Sequence, residues 1–370
     1  MKKLLTLFVA ILALNAFAAD EPERPWRYID AQDLRIINKG WKNTLRDYTR
    51  IPVWLKDSVH PDLWERSQCS SGIGFRFATN SSRIGIKYEL LWDTHLIHMA
   101  DTGLKGTDLY VFEGDSVWRH ANTNRPYVNN KDEKIVESTY MSNLDTTRMT
   151  EYIVYLPLYD GVNKIELKVD TNATVTSGRP DLIDPNVKIV AYGSSIMQGG
   201  CASRTGMVAT NIIGRELNCE VVNVGISGHA TMQPAMARAL AEVEDADLFI
   251  VDPIPNCGEV MVDTLTYNFV NILRTLRPDV PIIMVEGPLY PYYRYDAFFG
   301  RYLPRKNAAF RRRYEELMAE NPHNLYYVEA AGMDGPEDDG TVDGIHLTDL
   351  GFRHYADHIL PTIRLALGRE

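Results

Sequence analysis

Two parts of the chain differ in the period with which hydrophobic and polar residues alternate. From about residue 26 to 178 the alternation has a period of two, as in "GIGFRFATNSSRIGIKYEL" at 72–90. Turn-forming residues interrupt these runs at Asn80-Ser81-Ser82, at Glu113-Gly114-Asp115 and at Asp160-Gly161. Such a pattern predicts antiparallel hairpins, and no helical pattern interrupts them. We therefore expect an all-β, jelly-roll-like sandwich as an accessory domain over 26–178.

The pattern changes after a polar segment at 179–187, which we interpret as a linker. Short apolar runs then alternate with helical patterns over 188–370. The expected strands are "KIVAY", "EVVNV", "DLFIVD", "PIIMVE" and "LYYVE", and the expected helices lie near 204–217, 231–244, 259–276, 305–320 and 349–367. This alternation predicts an α/β three-layer sandwich with a mostly parallel, flavodoxin-like sheet. Sites in such folds form beyond the carboxyl ends of the strands.

The first 18 residues have the features of a secretory signal peptide. Lys2 and Lys3 precede an apolar run, and Ala16-Phe17-Ala18 supplies a cleavage pattern of small residues. A membrane anchor is the alternative, but the apolar run is short for a span. We expect export to the periplasm or the extracellular space, without stable membrane insertion.

The net charge disfavours one class of partner, and the number of cysteines disfavours one class of fold. The formal net charge is −10, which disfavours nucleic acid as a partner. Four cysteines in 370 residues are too few for a disulfide scaffold. A disulfide between Cys201 and Cys257 remains a hypothesis, because both lie close to the motifs described next.

One stretch places a hydroxyl at the end of a predicted strand. In "IVAYGSSIMQGG" (189–200) the strand ends at a glycine followed by Ser194 and Ser195. A serine nucleophile needs a base, and "DGIHLTDLGF" near the C-terminus offers Asp343 and His346 three residues apart. At that spacing a carboxylate can orient the imidazole, and the alternative is a solvated turn with an incidental histidine.

Further donors follow two other predicted strands. Gly228 lies in "NVGISGH" and Asn256 lies in "VDPIPNC". Together with the backbone N–H of Ser195, the Gly228 N–H and the Asn256 amide could stabilise a tetrahedral oxyanion. These three residues are the predicted oxyanion hole.

The order "GSS", "NVGISG", "PIPN", "DGIH" resembles the four blocks of the SGNH, or GDSL-type, hydrolases. The resemblance implies that Ser195 is the nucleophile and that Asp343 and His346 complete a catalytic triad. Ser194 is then either a turn residue or a residue that supports the catalytic side chains. Ser194 replaces the usual Asp of the family, and Pro255 replaces a usual glycine. The stretch "GTDLY" at 106–110 is similar to the GxDLY signature of the β-sandwich that precedes some bacterial members.

The export signal and the triad residues predict a secreted serine esterase, and the resemblance to a family rich in carbohydrate esterases implies that it removes a short acyl group, with acetyl expected, from a carbohydrate. The expected partner is a small ester or an acylated glycan, and neither a metal nor an organic cofactor is required. Two alternatives stay open: a non-catalytic secreted carbohydrate-binding protein, and a lipase or phospholipid esterase.

Substrate contacts are predicted in the aromatic stretch "GPLYPYYRYDAFFGRY" at 287–302. Tyr290, Tyr292, Tyr293 and Arg294 suit sugar rings and anionic groups. Packing of this loop on the N-terminal half is an equal alternative. "HMADTG", just before GTDLY, could reach the site of the other half. We expect no metal site at His95 and His98, because positions 95 and 98 of a strand point to opposite faces.

Overall fold

The computed structural model describes residues 24–114, 117–128 and 132–369. The predicted signal peptide, residues 1–18, lies outside this part of the chain. The strands are β1 Trp26–Asp30, β2 Arg35–Ile37, β3 Gly74–Thr79, β4 Ile84–Leu90, β5 Asp108–Glu113, β6 Val117–Thr123, β7 Ile135–Met141, β8 Thr150–Tyr155, β9 Val162–Asp170, β10 Val175–Thr176, β11 Lys188–Gly193, β12 Glu220–Gly225, β13 Leu248–Asp252, β14 Ile282–Val285 and β15 Leu325–Val328. The helices are α1 Pro61–Arg66, α2 Asp101–Leu104, α3 Ser195–Gln198, α4 Ala209–Leu217, α5 Pro234–Ala241, α6 Glu259–Leu276, α7 Phe299–Glu320 and α8 Asp349–Ala366.

The N-terminal strands form two antiparallel sheets. One has the order β1-β9-β4-β7, and the other has the order β10-β3-β8-β5-β6 with β2 beside β3. Side chains of both sheets meet in one hydrophobic cluster, in which Phe75 and Val154 of one sheet join Ile86 and Leu167 of the other. The prediction of antiparallel strands in this region is confirmed.

Two of the three predicted hairpins are wrong. Strands β5 and β6 do pair across Glu113-Gly114. The turns at Asn80-Ser81-Ser82 and Asp160-Gly161 instead carry the chain from one sheet to the other, because β3 and β8 lie in one sheet and β4 and β9 in the other. A period-two pattern describes which face of a strand is buried, and it does not specify the partner strand.

The expectation that no helix interrupts the N-terminal strands is also wrong. A 3₁₀ helix at Val53–Asp57 is followed by α1, which begins at Pro61 after the His60 side chain caps it. This segment packs on the C-terminal half, because Leu55 and Leu63, like Trp41 before them in the chain, belong to the same hydrophobic cluster as Val222 of β12. The two halves therefore share core contacts.

The C-terminal half is built on a five-stranded parallel sheet of order β12-β11-β13-β14-β15. All five strands lie where the sequence predicts them. Each adjacent pair is parallel, and the registers place Gly193, Gly225 and Asp252 side by side at the carboxyl edge. This strand order is that of flavodoxin-like sheets.

Helices cover both faces of the parallel sheet, as predicted. Helices α5, α6 and α7 pack on one face, and α4 and α8 pack on the other. The bounds differ most at α7, which begins at residue 299 and not near 305. The cause is Asp296, whose carboxylate accepts the backbone N–H groups of Phe298 and Phe299 and so caps the added turn.

Candidate active site

Ser195 stands at the junction of β11 and the short helix α3. The side chain of Ser194 caps this helix by accepting the N–H of Ile196 at 3.3 Å. The chain passes so tightly here that a Cβ on Gly193 would lie 2.7 Å from Met197 Cβ. Ser194 is fully buried as a turn residue, and Ser195 follows it as the first residue of the helix.

A chain of hydrogen bonds joins Ser195 to His346 and Asp343. The Ser195 Oγ lies 2.9 Å from His346 Nε2, and His346 Nδ1 lies 2.8 Å from Asp343 Oδ2. Since an ionised carboxylate only accepts, the imidazole donates from Nδ1 and leaves Nε2 to accept the serine hydroxyl. This is the tautomer that a general base for Ser195 requires.

The loop that carries Asp343 and His346 holds the carboxylate rigidly. Asp343 Oδ1 accepts the backbone N–H groups of Ile345 at 3.0 Å and of His346 at 2.8 Å. Partial burial acts to raise the pKa of Asp343, but the hydrogen bonds from the His346 ring and these N–H groups outweigh it and lower the pKa to about 2. Thr348 then caps α8, because its side chain accepts the N–H of Gly351.

The predicted oxyanion residues Gly228 and Asn256 lie on neighbouring loops. Gly228 has a positive φ of 74°, and a Cβ there would meet no atom within 4 Å, so its backbone faces open space. The Asn256 Oδ1 accepts the N–H of Ala230 at 3.1 Å. Within the described residues the Asn256 Nδ2 has no hydrogen-bond partner, so its amide donors are free for a ligand.

A cavity of about 470 Å³ lies beside His346 and Gly228. Residues of both halves line it: Glu65, Arg66, Cys69, Trp92, Thr94, Leu96, His98, Tyr159, Ser227, Gly228, His229 and His346. The N-terminal half therefore supplies one wall of the space next to the Ser195–His346 pair. This is the size and setting of a site for a small ligand.

His98 brings the "HMADTG" stretch to the other half, as predicted from the sequence. The His98 ring lies 5.4 Å from the His346 ring, centroid to centroid. Residues 95–98 form a loop and not a strand. The reason given for expecting no metal site there, that positions 95 and 98 of a strand point to opposite faces, is therefore wrong. His95 points away to Asp101, with His95 Nδ1 3.1 Å from Asp101 Oδ1.

The predicted substrate contacts do not line this cavity. Tyr290 is buried and stacks on Tyr292, which packs beside Gly344 in the Asp343 loop. Arg294 forms an ion pair with Asp338 and lies beside the Tyr293 ring. The cavity therefore gives no support to a substrate-binding role for these four residues.

Sequence reasoning missed the residues of the N-terminal wall, above all Trp92 and Arg66. The Trp92 side chain is partly exposed, with 38% of its surface accessible. The Arg66 side chain is exposed and has no hydrogen-bond or ion-pair partner within the described residues. No motif marks either residue, and the one signal in the sequence is an aromatic residue two positions after the end of β4.

The proposed disulfide is wrong. Cys69, Cys201, Cys219 and Cys257 are all free and buried. Proximity of Cys201 and Cys257 to motifs of one site did not require that their side chains meet. Within the described residues, no helix combines the length and apolar character needed to cross a membrane.

Two family models match the sequence in series. The GDSL-like lipase/acylhydrolase family model covers residues 186–364. The GxDLY model, which describes the N-terminus of SGNH-hydrolase-type esterases, covers residues 26–175. No curated protein matches the chain.

Solved structures match over most of the chain. A protein described as a GDSL-like lipase from Bacteroides ovatus is 30% identical, with a TM-score of 0.86 over 94% of this chain and 99% of its own. The salicylyl-acyltransferase SsfX3 from a tetracycline biosynthetic pathway is 16% identical, with a TM-score of 0.72 over 92% and 99%. An acetyl xylan esterase from Butyrivibrio proteoclasticus is 10% identical, with a TM-score of 0.57 over 93% and 99%.

The last two structures share the fold at low identity, whereas the first is a relative over nearly its whole length. Its similarity and the two matching models agree with the order of motifs in the sequence. The chain belongs to the GDSL-like lipase/acylhydrolase family of SGNH hydrolases and carries the GxDLY-type N-terminal region of esterases of that family.

Proposed function

We propose that the protein is an exported serine esterase that removes short acyl groups, acetyl above all, from a carbohydrate. The observation that carries the proposal is the hydrogen-bonded chain from Ser195 through His346 to Asp343. A binding protein would have no need of a serine aligned with a correctly polarised imidazole. Family membership supports ester hydrolysis in general.

The first half of the proposed reaction acylates Ser195. His346 Nε2 takes the hydroxyl proton while Oγ attacks the ester carbonyl carbon, and Asp343 stabilises the imidazolium that forms. The N–H groups of Ser195 and Gly228 and the amide of Asn256 hold the oxyanion. The imidazolium then protonates the leaving alcohol oxygen as the C–O bond breaks, which leaves the acyl group on Ser195.

The second half of the reaction releases the acid. Water gives a proton to His346 and attacks the acyl carbon through the same oxyanion site. The proton returns to Ser195 Oγ as the acyl–enzyme bond breaks, so the free serine is restored. The cycle uses no metal and no organic cofactor.

A carbohydrate is proposed as the substrate because of the character of the cavity. Trp92 presents part of its ring at the cavity, and a flat aromatic face suits stacking on a sugar ring. Arg66 and Glu65 line the same cavity and offer hydrogen bonds to hydroxyl groups. The name of the acetyl xylan esterase with the same fold is consistent with an acetylated glycan.

In this proposal the two packed antiparallel sheets act as a jelly-roll-like β-sandwich that completes the substrate site. Residues 26–178 form this accessory domain, 179–187 form the linker and 188–370 form the hydrolase domain. Residues 1–18 direct export and are removed, and the mature enzyme works in the periplasm or outside the cell.

The test is hydrolysis of 4-nitrophenyl acetate, butyrate and octanoate, and release of acetate from acetylated xylan, by the wild type and by Ser195→Ala. We expect acetate turnover well above octanoate turnover, and loss of both in the variant. Octanoate turnover above acetate turnover would favour the lipase alternative. Binding of glycan without turnover of any ester would favour the non-catalytic alternative.

A further inference from the structure

His98 and Cys201 bring two further metal-binding side chains to the catalytic imidazole. Ligand atoms of His98, Cys201 and His346 all lie within 4.8 Å of one another. His98 comes from the N-terminal half, and the other two come from the C-terminal half. We name these three residues the His98 cluster.

The backbone around the cluster fixes two of its members relative to each other. The N–H of Cys201 donates to the Leu347 carbonyl at 3.3 Å, and the N–H of Leu347 donates to the Gly200 carbonyl at 3.2 Å. Cys201 is thus tied to the residue that follows His346. The His98 ring contacts the His346 ring from the opposite half.

The hydrogen bond between His346 and Asp343 suits metal binding by His346. Its Nδ1 donates to Asp343 at 2.8 Å, so a metal would take the Nε2 lone pair in place of the Ser195 hydroxyl, which lies 2.9 Å away. A carboxylate–histidine–metal arrangement of this kind orients the ring and raises its basicity as a ligand. One thiolate and two imidazoles form a donor set that zinc prefers, and water or the Ser195 hydroxyl would complete a tetrahedron.

We infer that the His98 cluster binds a zinc ion, and that zinc bound there reversibly inhibits the enzyme. Zinc takes the Nε2 lone pair that would accept the Ser195 proton, so the base is lost while the metal stays. Binding replaces the thiol proton of Cys201, which passes to solvent. Zinc binding stands on the cluster alone, whereas inhibition also rests on the proposed function.

The geometry requires a small adjustment. Tetrahedral Zn–N and Zn–S bonds of about 2.0–2.3 Å place ligand atoms roughly 3.3–3.8 Å apart. Since no two ligand atoms of the cluster are more than 4.8 Å apart, they must close by at most about 1.5 Å, which a change of the His98 ring within its loop can supply.

A second group of possible ligands consists of His60, Asp62 and His229, of which His229 lines the cavity. The rings of His60 and His229 stack at 5.3 Å, and His229 Nε2 lies 3.4 Å from Asp62 Oδ2. This group contains no thiol and does not include the catalytic imidazole. Spectroscopy of a thiolate-bound metal therefore separates the two.

The direct test uses Co²⁺ in place of zinc with the whole folded protein. We expect a thiolate-to-cobalt charge-transfer band in the wild type, displaced by Zn²⁺, and no such band in Cys201→Ser or Cys201→Ala. The His60→Ala variant keeps the thiol cluster and should show the same band as the wild type. Metal affinity should fall at least about tenfold in His98→Ala, because even changes outside the ligand shell cost 10–100-fold.

The second arm measures ester hydrolysis with and without Zn²⁺. Zn²⁺ should inhibit the wild type and His60→Ala, a chelator should restore activity, and Cys201→Ser should keep its activity at the same Zn²⁺ concentration. A wild type without the charge-transfer band overturns the metal site. A band with no inhibition of an active enzyme overturns the regulation, and a band in a protein without esterase activity overturns the proposed function alone.

Discussion

The reactivity of Ser195 depends on hydrogen bonds that hold Asp343 and His346 in one orientation. Asp343 accepts from the His346 ring and from two backbone N–H groups, so the carboxylate cannot turn away from the imidazole. The sequence was sufficient to predict these partners because Asp343 and His346 are neighbours on one turn. Ser195, although far away in sequence, ends a strand of recognisable pattern.

Replacing Asp343 by Asn should lower kcat on the order of 10⁴-fold, because the amide favours the wrong imidazole tautomer. Measurement of 4-nitrophenyl acetate hydrolysis tests this expectation. Since the pKa of Asp343 is lowered to about 2, its carboxylate stays ionised above about pH 4 and its titration should not appear in the pH–rate profile there. A variant with near wild-type kcat would exclude Asp343 from the triad.

Asn256 offers a sharp comparison of two variants, since its side chain both accepts and donates. Asn256→Ala should lower kcat about 10²–10³-fold by removing an oxyanion donor. Asn256→Asp still accepts the Ala230 N–H but cannot donate, so its loss of activity should be at least as large. Unchanged kcat in Asn256→Asp would show that the residue only supports the loop.

At the scale of elements, β13 ends in a carboxyl group with no access to water. Asp252 is fully buried, its Oδ2 accepts the Tyr355 hydroxyl at 2.7 Å, and its Oδ1 has no partner within the described residues. Burial raises the pKa of Asp252 to about 8 against the opposing hydrogen bond from Tyr355. The strand is thus tied to α8 by a group that is protonated at neutral pH.

This carboxyl makes stability depend on pH with a definite sign. An unfolded aspartate titrates near 3.9, so from about pH 4 to pH 8 the folded state holds one more proton. The free energy of unfolding therefore falls as the pH rises through this window. The Asp252→Asn side chain is neutral at every pH. The free energy of unfolding of this variant minus that of the wild type should therefore be a few kcal/mol larger at pH 9 than at pH 5.

Denaturant unfolding of both proteins at pH 5 and pH 9 measures this difference. Tyr355→Phe is the matched control, because it removes the donor to Asp252 and should cost more stability at pH 9 than at pH 5. If the free energy of unfolding depends on pH equally in the wild type and in Asp252→Asn, the claim that Asp252 is protonated in the folded protein at neutral pH is contradicted.

The elements themselves were predictable to different degrees in the two halves. Short apolar runs between helical patterns were sufficient to locate the five parallel strands. The rules for connecting parallel strands then restrict which of them can be neighbours in the sheet. For antiparallel strands the sequence pattern does not restrict the partner strand in this way, and the partners of β3, β4, β8 and β9 were therefore predicted wrongly. The loop at 80–83 instead depends on Asp170 of a distant strand, which accepts from Ser82 and Arg83.

At the scale of the whole molecule, one buried cation connects the two halves. Arg50 donates to the carbonyls of Cys69 at 2.8 Å, Arg66 at 2.9 Å and Gly225 at 2.5 Å, and it forms no ion pair with a carboxylate in the part of the chain that the structure describes. Cys69 and Arg66 line the cavity, while Gly225 begins the loop of Gly228. The residue thus fixes both walls of the site at once.

Arg50→Met should lower the free energy of unfolding by about 2–5 kcal/mol, because several buried carbonyls lose their donor. It should also lower kcat/KM by loosening both walls of the cavity. Arg50→Lys keeps a charge but cannot form the same fork, so it should recover only part of the loss. Thermal and denaturant unfolding followed by tryptophan fluorescence checks this, and a change below 0.5 kcal/mol would contradict it.

The cavity itself could not be predicted from the sequence. Trp92, His98 and Tyr159 lie in loops that carry no periodic signal, and their approach to His346 depends on how the two halves pack. The sequence instead drew attention to the aromatic stretch at 287–302, which packs largely on the hydrolase half. Composition could identify residues able to bind a sugar, and only the fold could say which of them face the cavity.

The most direct test of the account is labelling of the folded protein with a fluorophosphonate, which reacts with activated serines. Intact mass should rise by one adduct, and peptide mapping should locate it on Ser195. Ser195→Ala should remain unlabelled, and His346→Ala should be labelled far more slowly because the base is gone. An adduct on another residue, or none under conditions that label a control serine esterase, would contradict the claim that Ser195 is an activated nucleophile.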